Sequence, residues 1–152
     1  MRLILAPHQV NPVPRVPFGW QAALTSLRLA PDARVLVVPV PLISATAPMR
    51  WQADTGQPGS LIGGYFLGPS KGGEAVFTIG PTQPAAEYLN KLSARRARAD
   101  ASGTALVRSA LAYWRPAAIV AVTHESSRLG QFLVGLLGHP TLAAGRVLAW
   151  RR

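Results

Sequence analysis

The sequence predicts an α/β fold, layered and Rossmann-like, with a mostly parallel sheet, flanking helices and one added β-hairpin. Two observations carry this. Short β-branched runs alternate with amphipathic stretches at helical spacing, the pattern of strands covered on both faces by helices. Apolar residues make up 49% of the 152 positions and charged residues 14%, enough to bury one core and too few charges for a disordered chain. Fourteen prolines and fourteen glycines then cut the chain into short elements joined by rigid turns.

Residues 1–17 end in PHQVNPVPRVP, a proline-rich extended stretch read as a lead-in or linker, and 18–152 form a single domain. Trp20, Ala23, Leu24 and Leu27 recur at helical spacing until Pro31. RVLVVPV (34–40) is an almost unbroken β-branched strand. Thr46 and Pro48 open a short helix through Trp51, closed by Gly56.

SLIGGYFLG and EAVFTI both favour strand, with GPSKGG as the hairpin connection between them. A helix starting near Thr82 places Ala85, Tyr88, Leu89 and Leu92 inward, with Lys91, Arg95 and Arg98 as a basic stripe outside. SARRARADASG breaks it from the next helix, marked by Val107, Ala110, Leu111 and Trp114 and stopped by Pro116. AAIVAV (117–122) is the best central parallel strand. Ser126 or Ser127 caps the helix of Leu129, Phe132, Leu133, Leu136 and Leu137, which Gly138 and Pro140 close. RVLAW (146–150) is a final strand. Trp51, Trp114 and Trp150 fall on core positions of these elements.

The charge is +10, from sixteen basic and six acidic residues. Such a balance favours phosphate-bearing partners, although arginine and alanine usage of this kind also follows from a GC-rich genome. No interleaving of aromatic and basic residues marks an RNA-binding surface, and no nucleic-acid partner is expected. With no cysteine, disulfides and thiol chemistry are excluded. No run of apolar residues is long enough to span a bilayer, and the N-terminal apolar run is too brief for a signal peptide.

The glycine-dense GGYFLGPSKGG (63–73) fails as a phosphate loop, because Pro69 stands where lysine is needed and Lys71 comes two positions late. It reads as a turn, and no nucleotide or other cofactor is expected. The histidines, His8, His124 and His139, share no metal-ligand spacing, so no metal is expected; His139 reads as a helix-end cap. THESS (123–127) follows the central strand, where open α/β sheets bind ligands. His124, Glu125 and Ser126 form no recognisable catalytic set, since G-x-S-x-G is missing, and no catalytic residue is assigned. Candidate ligand-binding positions are Gly63, Gly64, Thr123, His124, Glu125 and Ser126. Candidate anionic-surface contacts are Lys91, Arg95 and Arg98.

Four stretches in order, ARVLVVPVP, MRWQADTG, GGYFLGP and LAYWRPAAIVAV through HPTLAAGRVLAWR, resemble the C-terminal soluble domain of polytopic bacterial membrane proteins. These are glycosyltransferase-like chains of the GT-C class or YfhO type. The resemblance covers nearly everything after about residue 13. It implies a place on the extracytoplasmic face of the cell membrane, beside a membrane-embedded part of the parent protein, with polyprenyl-phosphate sugars as donors. It also implies catalytic acids in membrane loops, which transfer to no residue here. The expected function is a non-catalytic accessory or substrate-positioning domain that touches anionic lipid headgroups or the polyprenyl-phosphate sugar. The alternative is a free-standing cytoplasmic α/β ligand-binding protein or small enzyme with its site at the end of strand 117–122.

Overall fold

The computed structural model describes residues 14–42, 45–56, 59–69, 75–79 and 83–152, with the backbone alone at 65–69 and 75–79. The elements run α1 (Trp20–Leu27), β1 (Arg34–Val38), α2 (Ala47–Thr55), β2 (Ser60–Leu61), β3 (Tyr65–Pro69) and β4 (Ala75–Ile79). They continue with α3 (Pro84–Ser93), α4 (Ala101–Trp114), β5 (Ala118–Val122), α5 (Arg128–Leu137), β6 (Leu142–Ala144) and β7 (Val147–Arg151).

The α/β class holds, but the sheet is mixed, not the mostly parallel, Rossmann-like sheet expected. Its order is β2-β1-β5-β7-β6. β1 pairs in parallel with β2 and β5, whereas β7 pairs antiparallel with both β5 and β6. The cause lies after α5. The chain lays down the three-residue β6 first, and a two-residue turn at Gly145 and Arg146 (Gly145 φ +56°) then reverses it into β7. The last strand thus enters the sheet in the opposite sense from β5.

SLIGGYFLG also differs from its expected single strand. Gly63 and Gly64 take φ of +89° and +100°, a region open to glycine at low cost, and they turn the chain out of the main sheet. Ser60–Leu61 therefore stays with β1, while Tyr65–Pro69 pairs antiparallel with Ala75–Ile79 as a separate hairpin. The expected connection GPSKGG begins inside β3, which runs through Pro69; residues 70–74 lie outside the described residues, as do Thr82 and His8.

Strand alternation sends successive side chains to opposite faces, and helices cover both. On one face Leu36, Val38, Ile119, Ala121, Leu148 and Trp150 pack with α3, α4 and α5. On the other, Val35, Val37, Val120 and Ala149 pack against Trp20, Leu24 and Leu27 of α1 and Trp51 of α2. The two indoles meet edge to face at 5.5 Å. All four tryptophans are buried, Trp114 and Trp150 with their indole N–H groups bonded to Gln83 Oε1 (2.8 Å) and the Gly138 carbonyl (2.9 Å). The carbonyl past the end of α5 is thus capped by Trp150, the role expected of His139.

Candidate functional site

β1 and β5 run parallel and end together, Val38 beside Ala121, so their carboxyl ends share one edge of the sheet; β2, also parallel, pairs with Arg34 and Val35 and leads toward that edge. That is where open α/β sheets commonly bind ligands. Three segments meet at this edge: Pro39–Leu42 after β1, Ile62–Gly64 after β2, and Thr123–Ser127 after β5.

The segment after β1 is held by a helix. The Asn90 side chain of α3 accepts from the Val40 N–H (2.6 Å) and donates to the Val40 carbonyl (2.9 Å), as a neighbouring strand would. Gly64 N–H donates to the Pro41 carbonyl (2.7 Å). A Cβ on Gly63 would lie 2.9 Å from that same oxygen, which accounts for glycine at this close approach.

Gly63 and Gly64 line a groove of about 340 Å³ with Val40, Ile62, Ala86 and Trp114, and the exposed Tyr113 stands among its lining residues. Thr123, His124, Glu125 and Ser126 are not among the residues lining it. The predicted ligand positions therefore share one sheet edge, on either side of Pro39–Leu42, without forming one site.

The β5–α5 loop is organised for structure. Thr123 and Ser127 pair through their hydroxyl oxygens, and Ser127 Oγ accepts from Gly130 N–H (2.9 Å). Ser127, not Ser126, is thus the N-cap of α5. The loop folds closely over the first turn, for a Cβ on Gly130 would sit 2.0 Å from the His124 carbonyl oxygen. His124, Glu125 and Ser126 are exposed. Among the described residues no three or more His, Asp or Glu gather as a metal site, and no charged or polar residue is buried.

The basic stripe is differently built from its expected form. Only Lys91 lies on α3, which ends at Ser93; Arg95, with φ of +59°, and Arg98 belong to the linker into α4. All three are exposed. The fold adds two cations that the periodicity of α3 does not point to. Arg96 lines a shallow cleft with Lys91, Asn90 and Pro39, and Arg128, the first residue of α5, reaches the Arg95 carbonyl (3.4 Å). Lys91, Arg95, Arg96, Arg98 and Arg128 thus form one basic face beside the carboxyl edge. A run of arginines just after a helix, and an arginine just after its serine cap, were the available sequence signals.

No helix among the described residues is long and apolar enough to cross a membrane. Comparison with protein-family models, with curated proteins and with solved structures gives no match.

Proposed function

We propose that this chain is a non-catalytic accessory domain of a membrane glycosyltransferase-like protein, and that it uses its basic face to contact phosphate-bearing groups. The resemblance of ARVLVVPVP, MRWQADTG and GGYFLGP to the soluble domains of such proteins supplies the setting: the extracytoplasmic membrane face, with polyprenyl-phosphate sugars as substrate. The observation that carries the reading is the gathering of Lys91, Arg95, Arg96, Arg98 and Arg128 from α3, its following linker and α5. The five cations outnumber the three acids nearest them in sequence, Glu87 on α3, Asp100 and Glu125, so the face stays net positive. The Asp100 carboxylate accepts from Gly103 N–H (2.6 Å) as the N-cap of α4, and Glu125 lies exposed on the loop after β5.

Each basic residue near an anionic membrane contributes about 1 kcal/mol, so the five together supply on the order of 5 kcal/mol. Salt screens such attraction over roughly 10 Å at 0.1 M and about 3 Å at 1 M. Co-sedimentation with phosphatidylglycerol vesicles should therefore be strong at low salt and lost at high salt, with little binding to neutral vesicles. Binding indifferent to lipid charge and salt would remove this reading.

A second reading, ligand binding by a free-standing protein, draws on the groove at Gly63 and Gly64. It requires a small molecule that raises the melting temperature of the wild type and fails to do so after Tyr113→Ala at the groove.

A further inference from the structure

We infer that the cleft between the α3–α4 linker and α5 is a site for a multiply charged phosphate group, gripped by Arg98 and Arg128. This rests on the basic-face reading and narrows it from a diffuse charge to a particular place.

The cleft has a volume of about 340 Å³ and is lined by Arg98, Ala99, Arg128, Gln131 and Phe132. Arg98, Arg128 and Gln131, each carrying N–H donors, thus line the same cavity from the linker and from α5. Arginine presents planar paired donors that match phosphate oxygens, and such charge-assisted bonds are about twice as strong as neutral ones. No acid is among the lining residues: Asp100, next to Ala99, caps α4 through Gly103 N–H.

What separates this cleft from any group of surface arginines is how firmly its two walls are set. Tyr88 stands behind it. Its hydroxyl donates to the Arg98 carbonyl (3.2 Å) and accepts from Asp100 N–H (3.3 Å), pinning the linker on both sides of Ala99. Its ring meets Phe132 of the opposite wall edge to face at 5.8 Å. Gly103 allows this, since a Cβ there would fall 2.0 Å from the Tyr88 ring carbon that bears the hydroxyl. Arg128, in turn, is tethered through one guanidinium nitrogen to the Arg95 carbonyl, leaving its other N–H groups for a ligand. The backbone carrying each arginine is ordered before any anion arrives, which lowers the entropy lost on binding.

Phosphate of this kind comes from a soluble phosphate ester or from a lipid headgroup ending in a monoester. Calorimetric titration of the full chain with inorganic pyrophosphate at low salt tests the site, and vesicles test the source. Arg98→Ala with Arg128→Ala should weaken pyrophosphate binding at least tenfold. Lys91→Ala with Arg96→Ala removes the same charge outside the cleft and should change it less than threefold. Tyr88→Phe, which keeps the ring and frees the linker, should weaken it a few-fold. Matching circular dichroism spectra and melting temperatures would show each variant folded.

Vesicles of phosphatidic acid binding better than phosphatidylglycerol vesicles of equal surface charge would identify a lipid source. Equal vesicle binding with pyrophosphate affinity intact would identify a soluble one. No pyrophosphate binding by the wild type, or equal losses in the two double variants, would overturn the site. Vesicle binding that disappears with salt would survive either result and keep the broader reading, so the two failures are distinguishable.

Discussion

Replacing Asn90 by leucine keeps roughly the volume and shape of the side chain while deleting both of its polar atoms. In the folded protein those atoms satisfy the N–H and carbonyl of Val40, bonded at 2.6 and 2.9 Å across fifty positions of sequence. Val40 is only 1% exposed, so neither group gains free access to water once the amide is gone. A buried main-chain group left without a partner costs about 1–3 kcal/mol. Two such groups would cost about 2–6 kcal/mol; Asn90 is itself half-buried, so some water can enter, and about 3 kcal/mol is expected. In a chain of this length each kcal/mol moves the midpoint about 2–4 °C, so the melting temperature should fall by about 6–12 °C. Asn90→Asp retains the acceptor for Val40 N–H but sets a carboxylate oxygen against the Val40 carbonyl, and at neutral pH it too should be destabilised. Circular dichroism melts and urea titrations of the three proteins measure this. A shift below about 2 °C for the leucine variant would refute the view that Asn90 supplies the missing strand edge after β1.

Other outcomes follow from single contacts. Ser127→Ala removes the hydroxyl that accepts from Gly130 N–H and should cost about 1 kcal/mol, read as a lower urea midpoint with unchanged slope. Gly130→Ala improves intrinsic helix propensity by about 1 kcal/mol, yet its Cβ would meet the His124 carbonyl oxygen at 2.0 Å. Overpacking should win, and a gain in melting temperature would contradict the close approach of loop and helix. Gly63→Ala combines a positive φ with a 2.9 Å contact to the Pro41 oxygen and should lower thermal stability by more than 1 kcal/mol. His124→Ala with Glu125→Ala touches two exposed side chains and should leave the melting temperature within about 2 °C, about the ±0.5 kcal/mol usual for exposed sites.

Much of the fold was legible because it is written in local pattern. The stripe of Leu129, Phe132 and Leu133, the β-branched run after Arg34, and Pro116 just past the helix of Trp114 all act over a few residues. What the pattern left open depends on partners far along the chain. A continuous apolar run marks Val147–Arg151 as a strand but carries no information about its direction, which the short Leu142–Ala144 strand and Gly145 decide. β6 itself has three residues and no β-branched one. The paired glycines after Ile62 read as part of a strand because glycine tolerates extended and left-handed backbone alike. Asn90 looked like any polar helix residue, since its partner lies at the far end of β1. The basic face was half visible: Lys91, Arg95 and Arg98 lie together in sequence, whereas Arg128 joins them only when α5 packs against α3.

The central claim is that this domain works by contact through the carboxyl edge of its sheet. Amide chemical-shift mapping of the labelled chain with nanodiscs containing anionic lipid examines that claim residue by residue. Perturbations should concentrate at 91–99 and 124–131, leaving the opposite edge of the sheet, at 28–33 and 115–117, unchanged. Shifts centred on that opposite edge, or none in the two segments, would contradict it.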